Sequence, residues 1–236
     1  MGRSNYKFLY NVDMVFCIDV TGTMDNIIKI VQDKAMKLHK DVFGAMQKKG
    51  KNINSFRIRI IAFRDYLADK EEAMFVSDFF TLPEENEKLQ KVVDTLIAKG
   101  GGDIPEDGLE ALAYAIRSNW NSVKRPNAKV SIKNRHIIVV YSDAPTHEIG
   151  FGRVVECYPR GMPKDFRELT EWWGFGQDSK YMNQYAKRLI LFTPNESYWS
   201  EIATNWDNVV HIELISGKGL KDCNYEYILD GICNTI

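Results

Sequence analysis

The sequence predicts a doubly wound α/β fold with a mostly parallel central sheet, one antiparallel edge strand and helices on both faces. Strand-like and helix-like stretches alternate along the chain, which is typical of a parallel sheet covered by helices. The strand-like runs 14–19 and 136–142 are apolar almost without a break, as expected of strands buried on both faces. After the first of them, apolar residues recur at spacings of three and four, which is the helical period.

The first half of the chain contains a polar leader and six predicted elements. Residues 1–12 are expected to pair with nothing, or only with a sheet edge. A charged loop leads from the strand at 57–63 to the run 73–81, which lies close enough along the chain to pair back antiparallel. The elements predicted here are a strand at 14–19, a helix at 25–49, strands at 57–63 and 73–81, and helices at 83–97 and 109–120.

The regular alternation stops at about 148–187, which we interpret as an insertion into a single domain covering 1–236. A stretch of this length between core elements is more often functional than passive. Its short helix at 163–174 carries Trp172 and Trp173. These are either partner-binding anchors, because aromatic residues concentrate in interface hot spots, or the insertion's own small core. The remaining predicted elements are strands at 136–142, 189–192 and 209–215, and helices at 197–206 and 225–236.

Composition and charge exclude several classes of partner. The chain has 31 Lys and Arg against 32 Asp and Glu, so it lacks the basic excess typical of nucleic-acid or anionic-membrane binding. No apolar run approaches the length needed to span a bilayer. The four cysteines show no C-x-x-C spacing and are expected to be reduced thiols of a cytoplasmic protein, with a Cys223–Cys233 disulfide left open. We therefore expect a cytoplasmic protein with no nucleic-acid or membrane partner.

Acidic residues follow several of the predicted strands. Asp19, Asp65 and Asp143 all stand at carboxyl ends, where ligands of doubly wound sheets bind. Asp19 is followed by Thr21 and Thr23, so one turn offers a carboxylate and two hydroxyls. These are hard oxygen ligands without a thiol or imidazole, which favours Mg²⁺, Mn²⁺ or Ca²⁺ over Zn²⁺. The same residues are also ordinary helix-capping residues.

The turn at 19–23, DVTGT, matches the D-x-S/T-x-S/T loop of von Willebrand factor A domains that carry a metal-ion-dependent adhesion site. The chain resembles that family over about 12–146, and by element order over 188–236. The resemblance implies a Rossmann-like fold in which Asp19, Thr21 and Thr23 hold a divalent cation.

Two further loops resemble a particular branch of this family. The sequence 103–106, DIPE, is similar to the D-x-P-E loop of integrin beta-subunit and hemicentin-like domains, which implies that Glu106 is a direct ligand. The loop at 142–147 is similar to the integrin beta version, which implies that Asp143 holds the metal through water.

Integrin beta domains carry two further cation sites beside this one. Much of one such site is matched by Asp65, Asp103, the Pro105 carbonyl and Glu106, but Gly101 stands where an Asn would be expected. The acids of the other site are replaced by Asn26 and Ile27. We expect one metal, consider a second near Asp65, and expect no third.

The ligand set predicts binding rather than catalysis. A cation held largely by neutral hydroxyls keeps an open position that an Asp or Glu of a partner protein can fill, which predicts a non-enzymatic interaction module. The alternative is a haloacid-dehalogenase-like phosphohydrolase, whose aspartyl-phosphate loop the same turn resembles, with Asp19 as nucleophile beside Mg²⁺. That family requires a further pair of acids near its last metal-binding loop, but the loop at 142–147 offers only Asp143. His147 in that loop is expected to be exposed and incidental.

Overall fold

The computed structural model describes residues 7–101, 104–122, 130–217 and 225–236, so the predicted Asp103 and Cys223 lie outside the described residues. The strands of the described residues form one sheet. They are β1 (Lys7–Asp19), β2 (Asn52–Phe63), β3 (Met74–Val76), β4 (Phe80–Thr81), β5 (Val130–Tyr141), β6 (Lys187–Pro194) and β7 (Val209–Leu214).

The sheet of the described residues has the strand order β3-β2-β1-β5-β6-β7, with β4 also paired to β2. β1 lies parallel between β2 and β5, and β5, β6 and β7 continue in parallel. The predicted strand at 73–81 is two short strands, both antiparallel to β2. The predicted mostly parallel sheet with an antiparallel edge is therefore confirmed. Strand order reverses at the seam between β1 and β5, the place where such sheets bind ligands.

Helices cover both faces of the sheet. Met14, Phe16 and Ile18 point into one apolar core and Val15 and Cys17 into the other, and none of the five is more than 7% exposed. This burial on both sides explains why β1 reads as a continuous apolar run. The helices are α1 (Asp25–Lys48), α2 (Tyr66–Asp69), α3 (Asn86–Val93), α4 (Gly108–Ile116), α5 (Phe166–Trp173), α6 (Trp199–Asn205) and α7 (Tyr225–Thr235). None of these helices is both long enough and apolar enough to cross a membrane.

The prediction that residues 1–12 pair with nothing, or only with an edge, is wrong for the described part of that segment. Residues 7–12 belong to β1, the strand between β2 and β5. Two polar side chains of this strand are buried because each finds a partner on β2. The Asp13 carboxylate accepts hydrogen bonds of 2.8 and 2.6 Å from Arg57, and Asn11 Oδ1 accepts one of 2.9 Å from Asn54.

The insertion joins the apolar core that contains Val15 and Cys17 through α5, and Trp173 is part of that core. Its side chain is 0% exposed, stacks on Trp206 at 5.4 Å between ring centroids, and donates a hydrogen bond of 3.1 Å to Asp207 Oδ1. The prediction of Trp173 as an exposed partner-binding anchor is therefore wrong. Trp172 is half-buried against Tyr181, so a role in partner binding stays a prediction for that residue alone.

Replacing Trp173 by Ala is expected to lower the free energy of unfolding by about 3–5 kcal/mol, because it leaves a large cavity in the core. Trp172→Ala is the matched control and is expected to lower it much less, since part of that ring already faces solvent. Urea unfolding followed by tryptophan fluorescence measures both values. Equal losses in the two variants would contradict this assignment of the core.

Candidate functional site

The turn at 19–23, called here the first loop, fixes the Asp19 carboxylate at the seam between β1 and β5. Asp19 is 0% exposed, and its Oδ1 accepts hydrogen bonds from the Thr21 backbone N–H at 2.9 Å and the Thr21 hydroxyl at 2.6 Å. Its Oδ2 accepts a hydrogen bond of 2.7 Å from the Ser142 hydroxyl, which follows β5. Burial raises the pKa of Asp19 to about 6, although these hydrogen bonds act in the opposite direction.

The loop at 142–147, called here the third loop, is joined to the first loop by the hydroxyl of Thr23. Asp143 is buried, and its Oδ1 accepts a hydrogen bond of 2.8 Å from the hydroxyl of Thr23, which is exposed. Two hydrogen bonds to backbone carbonyls fix this loop in place. The Gly217 N–H donates to the Asp143 carbonyl at 2.8 Å, and the Trp199 indole donates to the Ala144 carbonyl at 3.1 Å. The structure thus brings together four of the predicted ligands, Asp19, Thr21, Thr23 and Asp143.

The loop at 103–106, called here the second loop, brings Glu106 to the same end of the sheet as Asp19 and Asp143. Its backbone donates to the Pro145 carbonyl at 3.1 Å and accepts from the His147 N–H at 2.9 Å, so the second and third loops are paired. The side chains of Glu106 and Thr21 both approach Gly101: a Cβ placed there would stand 2.8 Å from both Glu106 Oε1 and Thr21 Cγ2. Gly101 also has a φ of 75°. A side chain has no room at Gly101, which explains why this chain lacks the expected Asn there.

The surroundings of Glu106 disfavour its negative charge. The side chain is 3% exposed, and its Oε2 accepts no hydrogen bond from the described residues. Burial, followed by the nearby carboxylates of Asp19 and Asp65, raises the pKa of Glu106 to about 9. A buried acid surrounded by acids is unfavourable when ionised unless a cation joins it. The oxygen-only ligands and the unpartnered Oε2 therefore fit a hard divalent cation.

Arg64 is a positioning residue that the sequence reasoning missed. Its guanidinium is nearly buried and donates to the carbonyls of Val20 at 3.3 Å, Glu72 at 2.8 Å and Ile97 at 3.2 Å. These carbonyls belong to the first loop, the segment after α2 and the chain leading into the second loop. Arginine suits this role because its planar fork of donors can satisfy several carbonyls at once. Ser142, whose hydroxyl donates to Asp19, was likewise not predicted as a site residue.

The predicted second metal set is only partly described. Asp65 is buried, and its Oδ1 accepts a hydrogen bond of 2.6 Å from Leu67 at the start of α2. Asp103 lies outside the described residues, and the cis Ile104–Pro105 peptide precedes Glu106. The set of Asp65, Asp103, Pro105 and Glu106 stays a prediction.

Two other residues lie beside Asp65 instead. His147 is 8% exposed, so its prediction as an exposed incidental residue is wrong, and its Nε2 lies 3.8 Å from Asp65 Oδ2. Asp107 is 0% exposed, and its Oδ2 accepts a hydrogen bond of 2.6 Å from the Tyr66 backbone. Burial and the neighbouring Glu110 carboxyl raise the pKa of Asp107. The sequence analysis assigned no role to Asp107; the signal that could have indicated one was its position directly after Glu106, before the start of α4.

The chain has detectable relatives over part of its length. Residues 13–124 match the family model of the von Willebrand factor A domain. The alpha-protein kinase vwkA of Dictyostelium discoideum is 26% identical over 156 residues, which are 66% of this chain and 22% of the kinase. The chain thus spans about a fifth of that relative's length.

Two solved structures of the pilus adhesin SpaC from Lactobacillus rhamnosus GG match this chain. One superposes over 95% of this chain and 30% of the adhesin, with a TM-score of 0.50 and 10% sequence identity. Its open conformation covers 56% of this chain and 14% of the adhesin, with a TM-score of 0.38 and 12% identity. The family match and the sheet topology together show the Rossmann-like α/β fold that von Willebrand factor A domains have. The integrin beta or hemicentin-like subtype stays a prediction.

Proposed function

We propose that this chain, whose fold is that of a von Willebrand factor A domain, is a protein-interaction module that binds its partner through a divalent cation. Asp19, Thr21, Thr23 and Glu106 hold the cation directly, and Asp143 holds it through water. The observation that carries the proposal is the buried Oε2 of Glu106, which accepts no hydrogen bond from the described residues and lies among carboxylates at the seam of the sheet.

The ligand chemistry favours Mg²⁺, with Mn²⁺ or Ca²⁺ as alternatives. When bound, the cation supplies a positively charged coordination position that attracts a carboxylate. The chain's own groups set the geometry: Ser142 and Thr21 hold the Asp19 carboxylate, while Thr23 anchors Asp143 from the solvent side. A partner presenting Asp or Glu completes the coordination from that exposed side.

The surface beside the cation gives the partner further contacts. Ile104, two residues before Glu106, is 64% exposed, and Phe151, which stacks on His147, is 49% exposed. Phe151 belongs to the 148–187 insertion, and we therefore propose that this insertion shapes partner specificity. Apolar side chains around a polar centre are typical of binding surfaces.

The phosphohydrolase alternative gains no support from the structure or from the relatives. Both carboxylate oxygens of Asp19 accept hydrogen bonds from hydroxyl groups, and the matched family model is a different one. We propose a non-enzymatic, cytoplasmic protein on the grounds given by the sequence. Phosphatase turnover of an aryl phosphate that is lost in Asp19→Asn would contradict the binding function.

Capture of a partner in the presence and absence of cation tests the function directly. The immobilised chain is expected to retain a protein in Mg²⁺ and to release it in EDTA, while Asp19→Ala retains none. Asp25→Ala is the matched control, because Asp25 is an exposed acid six residues further on that pairs with Lys29. Individual Asp and Glu substitutions in the captured protein then identify the acid that completes the site. Retention in EDTA, or by Asp19→Ala, would contradict the cation bridge.

A further inference from the structure

A second group of metal-ligating side chains lies beside the cation site. Asp65 follows β2, Asp107 precedes α4 and His147 lies beyond β5, so three separate segments contribute. One potential ligand atom from each lies within 4.8 Å of the other two. The residues are 1%, 0% and 8% exposed, respectively. We call these three residues the Asp65–Asp107–His147 cluster.

Within the described parts of the chain, the hydrogen bonds of the cluster leave one buried carboxylate oxygen without a partner. Asp107 Oδ2 accepts a hydrogen bond of 2.6 Å from the Tyr66 backbone, whereas its Oδ1 accepts none from the residues that the structure describes. Buried carboxylate oxygens are normally satisfied by donors or by metals, so an unpartnered one indicates a ligand. Asp107 is also wholly buried, which excludes bulk water as the routine partner.

The spacing of the other two side chains also suits an ion. His147 Nε2 lies 3.8 Å from Asp65 Oδ2, which is too long for a hydrogen bond. Two ligands at bond lengths of about 2.0–2.2 Å from one metal stand roughly 3–4 Å apart. The imidazole is held in place by stacking on Phe151 at 4.0 Å between ring centroids and by its backbone bond to the Glu106 carbonyl.

We propose that the Asp65–Asp107–His147 cluster binds a divalent transition-metal ion of the Zn²⁺ type. Two carboxylates and one imidazole form a ligand set that suits Zn²⁺, whereas the oxygen-only site suits Mg²⁺. The ion ties together the exit of β2, the start of α4 and the loop after β5. This site uses Asp107 and His147, which the predicted set of Asp65, Asp103, Pro105 and Glu106 does not contain. The proposal is independent of the proposed binding function.

Metal titration of the full chain in saturating Mg²⁺ tests this site. After removal of metal by chelation, the wild-type chain is expected to bind one Zn²⁺ with high affinity in excess Mg²⁺. Asp107→Asn and His147→Gln are expected to weaken that binding by on the order of 100-fold or more. Glu110→Gln is the matched control, since Glu110 is a buried acid on the same helix outside the cluster and is expected to bind Zn²⁺ like the wild type.

Two further measurements separate this site from the Mg²⁺ site and from misfolding. Asp19→Asn is expected to keep the Zn²⁺ site, whereas loss of tight Zn²⁺ binding in that variant would place the ion elsewhere and overturn the proposal. In the wild type, Co²⁺ is expected to shift the His147 ring resonances in NMR spectra, which requires no folded variant. Absence of that shift, or Zn²⁺ binding unchanged in both His147→Gln and Asp107→Asn, would overturn the proposal.

Discussion

Replacing Asp19 by Ala is expected to abolish the stabilisation that Mg²⁺ gives to the folded chain. A ligand present at 100 times its Kd stabilises the native state by about 2.7 kcal/mol, which for a chain of this size raises Tm by roughly 5–10 °C. Asp19 is the buried carboxylate to which the Thr21 and Ser142 hydroxyls converge. Without it the cation loses a charged ligand and the organisation of the loop around it.

Thermal unfolding of both proteins, with EDTA and with increasing Mg²⁺, measures this effect. Asp25→Ala serves again as the control, because it removes an exposed acid whose pairing with Lys29 contributes little to stability. That control is expected to show the full Mg²⁺ response. A Mg²⁺-dependent rise in the Tm of Asp19→Ala equal to that of the wild type would contradict the ligand assignment.

The part of the site that lies in continuous sequence could be predicted because local chemistry determines it. Asp19, Thr21 and Thr23 occupy one turn after a buried strand, so their side chains face the same place whatever the rest of the chain does. The convergence of Asp143 on that turn followed from topology, since parallel strands bring their carboxyl ends to one edge. The Thr23–Asp143 hydrogen bond of 2.8 Å confirms that this topology brings the two loops together.

The errors arose where burial depends on partners that are distant in sequence. Asn11 belongs to the segment 1–12, which was predicted to pair with nothing or only with an edge, yet it is buried because Asn54 satisfies it. Its neighbour Asp13 is buried because Arg57 satisfies it. His147 read as an exposed loop residue, but Phe151 of the insertion covers its ring. In each example the polar residue type favours an exposed position, but the residue is buried because a side chain distant in sequence covers it or bonds to it. Periodicity within one segment cannot identify such partners.

The stability of the cation-free chain is expected to fall as pH rises, and Glu106 is the main reason. Its pKa is raised from an ordinary value of 4.5 to about 9 in the folded state, so the folded chain holds a proton that the unfolded chain releases between these values. This contribution to stability is fully present below pH 4.5 and is lost as pH rises towards 9. Asp19, with its pKa raised to about 6, acts in the same direction at lower pH.

Mg²⁺ competes with the proton on Glu106, so the stabilisation that Mg²⁺ provides is expected to grow over the same pH range. Glu106→Gln keeps the shape of the side chain without its charge. At pH 8 and without cation, this variant is expected to be about 1–3 kcal/mol more stable than the wild type, because folding of the wild type at that pH requires Glu106 to take up a proton or to be buried as an anion. It is also expected to respond much less to Mg²⁺. The same replacement therefore raises stability in EDTA and lowers it relative to the wild type in saturating Mg²⁺.

Urea unfolding of both proteins from pH 5.5 to 8.5, with EDTA and with Mg²⁺, measures these two opposing effects. Asp19 and Asp107 are present in both proteins, so the difference between the two pH profiles isolates Glu106. A wild-type profile in EDTA that runs parallel to that of Glu106→Gln would contradict the raised pKa. A Mg²⁺ response that is equal in the two proteins would exclude Glu106 from the cation site. A crossing of the two stabilities on adding Mg²⁺ requires that the buried carboxylate both destabilises the free chain and binds the ion.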